Sequence, residues 1–142
     1  MSNAIELKIP SRVDYVQLVR AVVGAVASTS PNLSTARIAD LRLVVSEAVT
    51  NAIHSQEKIS ESERLTIRCS LIDNFIEVEV VDKGSGFEID SVPELPPTDS
   101  PERLEHERGL GLSIMRAMSD GLVIDSSSEG TQVRMILTNE TS

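Results

Sequence analysis

The run from Ala36 to Ser55 carries apolar residues at helical spacing, and its C-terminal half is almost entirely apolar. Ser34 precedes this run and is a candidate N-cap, because a serine hydroxyl accepts a hydrogen bond from a free N–H group of the first helical turn. The residues predicted to face a core are Ile38, Leu41, Val44, Val45, Ala48, Val49 and Ala52. The pattern therefore predicts one long helix with a buried face.

Shorter patterns before and after this helix predict the remaining elements, with alternating apolar residues indicating strands and helical spacing indicating helices. Before and directly after the long helix we expect a strand at Ile5–Ile9, a helix at Val13–Ala27 with Ser11 as its N-cap, and a loop at Gln56–Glu63. Further along we expect a hairpin of Leu65–Leu71 and Ile76–Val80 turning at Asp73-Asn74, a helix from Gly109 to Met118 capped by Gly121, and strands at Leu122–Asp125 and Gln132–Leu137.

The order of these elements predicts an α+β two-layer sandwich, with helices packed on one face of a mixed, mainly antiparallel sheet. At 142 residues, with 40% hydrophobic and 25% charged residues, the chain has the size and composition of one globular domain, 1–142. Residues 88–108 contain several prolines and no apolar periodicity. A loop of that length inside a small domain is typical of a functional lid or a linker.

The net charge of −9 argues against a nucleic-acid-binding groove, because the phosphate backbone would be repelled. Any bound nucleotide must then be held locally, by backbone N–H groups and a metal ion. The single cysteine, Cys69, cannot form an internal disulfide, and no signal peptide or membrane-spanning run is recognisable. We therefore expect a cytoplasmic protein with no membrane or direct nucleic-acid partner.

Polar side chains interrupt the apolar half of the long helix. Glu47 and Asn51 are four residues apart and so project from one face, with His54 one further turn along. Burying a carboxylate and an amide costs free energy unless something satisfies them, as a hydrated Mg²⁺ with phosphates would. The alternative interpretation is a pair of hydrogen-bonded core residues with no ligand.

Two glycine turns follow predicted strands. Asp82 ends a strand and precedes Gly84 and Gly86; its carboxylate can accept a hydrogen bond from an amino group, and the glycines allow a flat ligand to approach the backbone. Gly130-Thr131 enters the last strand and can offer a hydroxyl to the same pocket. Ordinary turns without a ligand are the alternative interpretation for both segments.

The segment Arg108-Gly109-Leu110-Gly111-Leu112 is a glycine-rich helix start. Free N–H groups and the positive end of the helix dipole make such a start an anion site, and Arg108 can add a charge-assisted contact to phosphate. The alternative is a hinge whose glycines end the preceding loop, with Arg108 exposed to solvent.

These four motifs occur together in the order typical of the Bergerat-fold (histidine-kinase-like) ATPases, and the chain between Leu41 and Leu137 carries them. The short N-terminal strand and helix and the sequence Glu47-Ala48-Val49-Thr50-Asn51-Ala52 resemble the stand-alone anti-sigma factor serine kinases. One difference is Ser55, which stands where that family often has a histidine; the role of the neighbouring His54 stays open.

The resemblance implies a serine kinase that uses ATP and Mg²⁺, phosphorylates a small anti-anti-sigma protein and sequesters a sigma factor, with a homodimer expected. By the same resemblance, Asn51 coordinates Mg²⁺, Glu47 is the general base, and Asp82 holds the adenine amino group. The other nucleotide-binding positions implied are Gly84, Gly86, Arg108, Gly109, Leu110, Gly111, Leu112 and Thr131, with residues 88–108 as the ATP lid. A non-catalytic regulator, in which the nucleotide only orders a protein-binding face, is the alternative hypothesis.

Overall fold

A computed structural model describes residues 3–57, 64–72, 75–83, 113–127 and 130–138 of the chain. The first half consists of strand β1 (Asn3–Pro10), a 3-10 turn (Val13–Tyr15), helix α1 (Val16–Ser28) and helix α2 (Thr35–Glu57). The second half consists of strands β2 (Arg64–Ile72) and β3 (Phe75–Asp82), a helical segment at 113–118 named α3 here, and strands β4 (Gly121–Ser127) and β5 (Gly130–Thr138).

The five strands form one sheet in the order β1-β2-β3-β5-β4, and every pairing is antiparallel. The predicted α+β two-layer architecture is therefore confirmed, while a mixed sheet is not found among the described strands. The reason lies in the β4–β5 hairpin: β3 and β4 run in the same direction, but β5 folds back between them and is antiparallel to both.

Helix α2 begins as the sequence predicts. The Ser34 hydroxyl accepts a hydrogen bond from the Arg37 N–H at 3.2 Å, the arrangement of an N-cap. The buried face of α2 packs on α1 and on strands β3 and β5. It consists of Leu41, Val44, Val45, Ala48, Val49, Ala52 and Ile53. This face holds the helix against the centre of the sheet.

The C-terminal end of α2 differs from the prediction. The helix continues through Glu57, so that Gln56 is helical and not the first residue of a loop. Gln56 is completely buried. Its side chain accepts a hydrogen bond from the backbone N–H of Lys83, the residue that directly follows β3. The residue that holds Gln56 is 27 positions away in the sequence, so this contact could not be predicted from the local pattern.

Three further boundaries were predicted wrongly. Ser11 is not a helix N-cap: its hydroxyl is buried and has no hydrogen-bond partner, and the chain first makes the 3-10 turn before α1 begins at Val16. Gly121 does not cap a helix but begins β4, where it pairs with Ile136. The last two strands are also longer than expected, because the tight pairing between them extends to Gly130.

The core between the helices and the sheet is aliphatic, as the low aromatic content predicts. Cys69 lies within it on β2, and burial raises the pKa of its thiol to about 12. The thiol therefore stays protonated and unreactive in the folded chain at neutral pH. No helix in the described ranges combines the length and apolarity that crossing a membrane requires.

Candidate functional site

Helix α2 carries the first half of the candidate site on the edge of its buried face. Glu47 and Asn51 are each partly exposed, although their neighbours Ala48 and Val49 are fully buried. Within the ranges that the structure describes, neither side chain forms a hydrogen bond or an ion pair. A carboxylate and a carboxamide one turn apart are therefore half shielded from water and available to a ligand.

The second half lies where β3 ends. Asp82 is only 5% exposed and is the Cα partner of Thr131 on β5, which is equally buried. The Thr131 hydroxyl lies 3.1 Å from the hydroxyl of Ser126 on β4. The sheet thus brings Asp82 and Thr131 together across adjacent strands, although they are far apart in the sequence.

Gln56 connects the two halves and was not among the residues predicted from the sequence. Its Oε1 atom accepts a hydrogen bond from the Lys83 N–H at 3.0 Å, so the end of α2 is bonded to the backbone directly after Asp82. Gln56 is five residues from Asn51, which is about 7.5 Å along a helix axis. A signal that could have identified it is a polar residue completing the helical stripe of buried positions at Val49, Ala52 and Ile53.

Gly130 shapes the same corner of the fold. It has φ +143°, a conformation that residues with a side chain rarely adopt, and a Cβ atom there would overlap the Asp82 carbonyl oxygen. The same Cβ would lie 2.9 Å from the Cα atom of Lys83. Gly130 therefore allows the start of β5 to approach the end of β3 more closely than any other residue would.

Several predicted positions lie outside the described residues: Gly84, Gly86, the lid at 88–108, Arg108, Gly109, Leu110, Gly111 and Leu112. The described chain resumes in α3 directly after this segment, and Met115 anchors α3 in the core at 1% exposure. On α2, His54 is partly buried, and the neighbouring Ser55 hydroxyl is buried without a hydrogen-bond partner.

The donor groups present are compatible with a nucleotide and Mg²⁺. Mg²⁺ prefers oxygen ligands and usually takes only one or two from the protein, the rest coming from phosphates and water, so the carboxamide of Asn51 meets that requirement. Asp82 offers an acceptor in a nearly dry position, where hydrogen bonds to an amino group are strengthened. Within the described residues, no group of three or more histidine, cysteine or acidic side chains is arranged to hold a metal by itself.

A second polar cluster lies at the opposite end of the sheet and was not predicted. We call it the Arg37 clasp; it consists of Arg37, Asp40, Asp120 and Thr138. The Arg37 guanidinium donates to Asp40 at 2.9 Å, to Asp120 at 2.7 Å and to the Thr138 carbonyl at 2.8 Å, and Asp120 also accepts the Thr138 N–H at 2.7 Å. The only local signal was the Arg37–Asp40 spacing of three residues on a helix.

Comparison with known proteins identifies the class to which this arrangement belongs. Residues 9–137 match the family model described as the histidine kinase-like ATPase domain. Among solved structures, the fold is similar to that of the RsbU and RsbW domains of Rv1364c from Mycobacterium tuberculosis, with a TM-score of 0.71 and 16% sequence identity. That likeness covers 98% of this chain and 33% of the larger chain.

Two relatives by sequence narrow the class to one family. The anti-sigma F factor of Caldanaerobacter subterraneus subsp. tengcongensis is 39% identical over 94% of this chain and 92% of its own length. The serine-protein kinase RsbW of Bacillus subtilis is 32% identical over 94% of this chain and 84% of its own length. The chain therefore belongs to the histidine kinase-like ATPases and, within them, to the family of anti-sigma factor serine kinases.

Proposed function

We propose that this chain is an ATP-dependent serine-protein kinase that acts as an anti-sigma factor. It transfers the γ-phosphate of ATP to a serine of a small anti-anti-sigma protein, and it sequesters a sigma factor. The observation that carries the proposal is the pair Glu47 and Asn51, half-buried on α2 and without partners among the described residues, in a chain of this family.

Each site residue has a proposed role. Asn51 coordinates Mg²⁺ through its carboxamide oxygen, Asp82 accepts a hydrogen bond from the adenine amino group, and Thr131 contributes to the adenine side of the pocket. Support for the adenine side is the burial of Asp82 and Thr131 on adjacent strands. The glycines and Arg108 outside the described residues keep the phosphate-binding and pocket-shaping roles that their sequence motifs predict: Gly84, Gly86, Arg108, Gly109, Leu110, Gly111 and Leu112.

Glu47 is the proposed general base. As the serine oxygen of the partner bonds to the γ-phosphorus, the bond from that phosphorus to the β–γ bridging oxygen breaks, ADP leaves, and the carboxylate of Glu47 takes the serine proton. Phosphoryl transfer depends mainly on positioning, so a base held on a rigid helix suits the reaction. Mg²⁺, when bound, neutralises charge on the phosphates.

The remaining features of the proposal concern the whole chain. We propose one domain over 1–142, with 88–108 as the ATP lid, a cytoplasmic location and a homodimer. The lid assignment rests on the sequence alone; it predicts that limited proteolysis within 88–108 is slower when Mg-ATP is present. The dimer predicts twice the monomer mass in light scattering of the purified chain.

The decisive experiment has two stages. Mg-ATP and Mg-ADP are first titrated into the chain by calorimetry, which tests nucleotide binding alone. Labelled ATP is then incubated with the chain and candidate small antagonist proteins, and label on a partner serine is identified by mass spectrometry. Binding followed by transfer is expected. Binding with a partner complex but no transfer in any mixture would instead favour the non-catalytic regulator.

A further inference from the structure

The peptide group between Asp82 and Lys83 is held from both sides. On the N–H side, Lys83 donates to Gln56 Oε1 at 3.0 Å. On the carbonyl side, the Asp82 oxygen faces the backbone of Gly130, which approaches so closely that a Cβ atom would overlap it. Both neighbours are fixed parts of the fold, one at the end of α2 and the other at the start of β5.

This peptide group helps to hold the backbone from which the Asp82 side chain projects. The β3–β5 ladder fixes the backbone on one side of Asp82 through its pairing with Thr131. With the ladder holding the backbone before Asp82, and Gln56 and Gly130 holding the peptide group after it, the backbone of Asp82 and therefore its Cα–Cβ bond have a fixed direction at the strand end. The hydrogen bond to Gln56 therefore adds a restraint on the end of β3 to those from the ladder and from Gly130.

Gln56 is an unusual residue for its position. It has no exposed surface, and an apolar side chain of the same length would fill that volume without needing a hydrogen-bond partner. Its carboxamide is instead placed to receive the Lys83 N–H, 27 residues along the chain. The packing of α2 on the sheet does not by itself require an acceptor there.

We propose that Gln56 is a positioning residue for adenine recognition, because it orients Asp82 through the Lys83 peptide group. This inference rests on the proposed ATP-binding function. Adenine carries an amino group at the position where guanine carries a carbonyl oxygen. A carboxylate held in a fixed direction accepts a hydrogen bond from the adenine amino group. Facing guanine, the same carboxylate meets a carbonyl oxygen, which is also an acceptor. The orientation of the carboxylate therefore decides the preference for ATP over GTP.

The test measures Mg-ATP and Mg-GTP affinities of the full chain by calorimetry for matched variants. Gln56→Met keeps the length of the side chain and removes the acceptor, and Gln56→Glu keeps an acceptor oxygen. The control is Ile53→Val, which changes another fully buried residue of α2 and weakens packing without touching the Lys83 N–H. Gln56→Met is also combined with Asp82→Asn.

We expect Gln56→Met to reduce the ATP-over-GTP preference about tenfold, because the hydrogen bond that orients the Lys83 peptide group is lost. Gln56→Glu should retain most of the wild-type preference. Ile53→Val should leave the preference unchanged. Added to Asp82→Asn, the Gln56→Met change should have almost no further effect, because both act through the same carboxylate.

An unchanged preference in Gln56→Met, or full additivity with Asp82→Asn, would show that Gln56 only fills space and would overturn the inference alone. Failure of the wild-type chain to bind Mg-ATP would overturn the proposed function and this inference with it. If Gln56→Met does not fold, Gln56→Asn serves instead, because it keeps a carboxamide but is one methylene too short to reach the Lys83 N–H.

Discussion

Polar side chains lie near both ends of β5, but the two sets differ in whether they have partners within the protein. At Thr138, the Arg37 clasp joins a buried cation to two carboxylates and a carbonyl oxygen, so its charges are satisfied within the protein. Toward the Thr131 end, the second half of α2 carries Glu47 and Asn51, whose side chains have no partners among the described residues. The clasp therefore stabilises the fold, whereas Glu47 and Asn51 belong to the proposed nucleotide site.

Helix α2 carries residues of both sets, with Arg37 in its first turn and Glu47 and Asn51 in its second half. Substitutions at the clasp should lower stability and leave chemistry intact, while substitution of Glu47 should slow chemistry and leave stability intact. The variants below test that separation in order of decreasing effect.

The largest effect is expected for Glu47→Ala. Loss of a general base should slow phosphate transfer by about 10²- to 10⁴-fold, with Mg-ATP affinity changed little, because Glu47 acts on the serine and not on the nucleotide. Single-turnover transfer to the partner protein measures this. Asp40→Ala, on the same helix but in the clasp, is the matched control and should transfer at the normal rate. Normal transfer by Glu47→Ala would remove Glu47 from the role of base.

Arg37→Ala should destabilise the fold by about 3 kcal/mol, because it leaves Asp120 and the Thr138 carbonyl without their cation. Urea unfolding monitored by circular dichroism gives this value, and nucleotide affinity of the folded protein should change less than about threefold. Arg116→Ala, which changes an exposed arginine of α3, is the control and should keep its unfolding midpoint. A large loss of affinity in Arg37→Ala with stability intact would reverse the assignment of the two ends.

Gly130→Ala should cost about 2 kcal/mol of stability, since it strains a residue at φ +143° and forces the end of β3 away. Because this movement displaces Asp82, we also expect weaker Mg-ATP binding. Gly121→Ala is the control: a Cβ there meets Ile136 at 3.5 Å, an ordinary contact. Equal behaviour of the two alanine variants in unfolding and titration would argue against a special role for Gly130.

The smallest effect is expected for Arg12→Ala. The Arg12–Asp14 ion pair is 3.2 Å long, but both side chains are mostly exposed, at 69% and 74%, so solvent and salt screen it. The unfolding midpoint should stay within measurement error of the wild type. If Arg12→Ala lowered the unfolding midpoint as much as Arg37→Ala does, burial would not explain why the Arg37 clasp stabilises the fold more than the Arg12–Asp14 ion pair.

Much of this fold is predictable from local patterns. Helix α2 and the β2–β3 hairpin are encoded by apolar spacing and an N-cap serine, signals that need no distant contact. The position of β5 between β3 and β4 is not, because it depends on which strand edges meet. The Arg37 clasp is hidden for the same reason: Asp120 and Thr138 lie 83 and 101 residues from Arg37.

The candidate site likewise contains residues that sequence motifs predict and one residue that only the structure reveals. The resemblance of the motifs to a known family suggested Glu47, Asn51, Asp82 and Thr131, and the structure brings Asp82 and Thr131 together on adjacent strands. Gln56 has no motif, and only its burial and its bond to Lys83 reveal it. The roles of all these residues stay predictions until the variants are measured.

Since α2 is one uninterrupted helix between Arg37 and Gln56, its length is itself constrained. Inserting or deleting a single residue between Arg37 and Glu47 would rotate one end by about 100° relative to the other and shift it by about 1.5 Å. Either Arg37 would then turn away from Asp120, or Glu47 and Asn51 would turn away from the proposed nucleotide site. We therefore expect this segment of α2 to accept substitutions but not the insertion or deletion of a single residue.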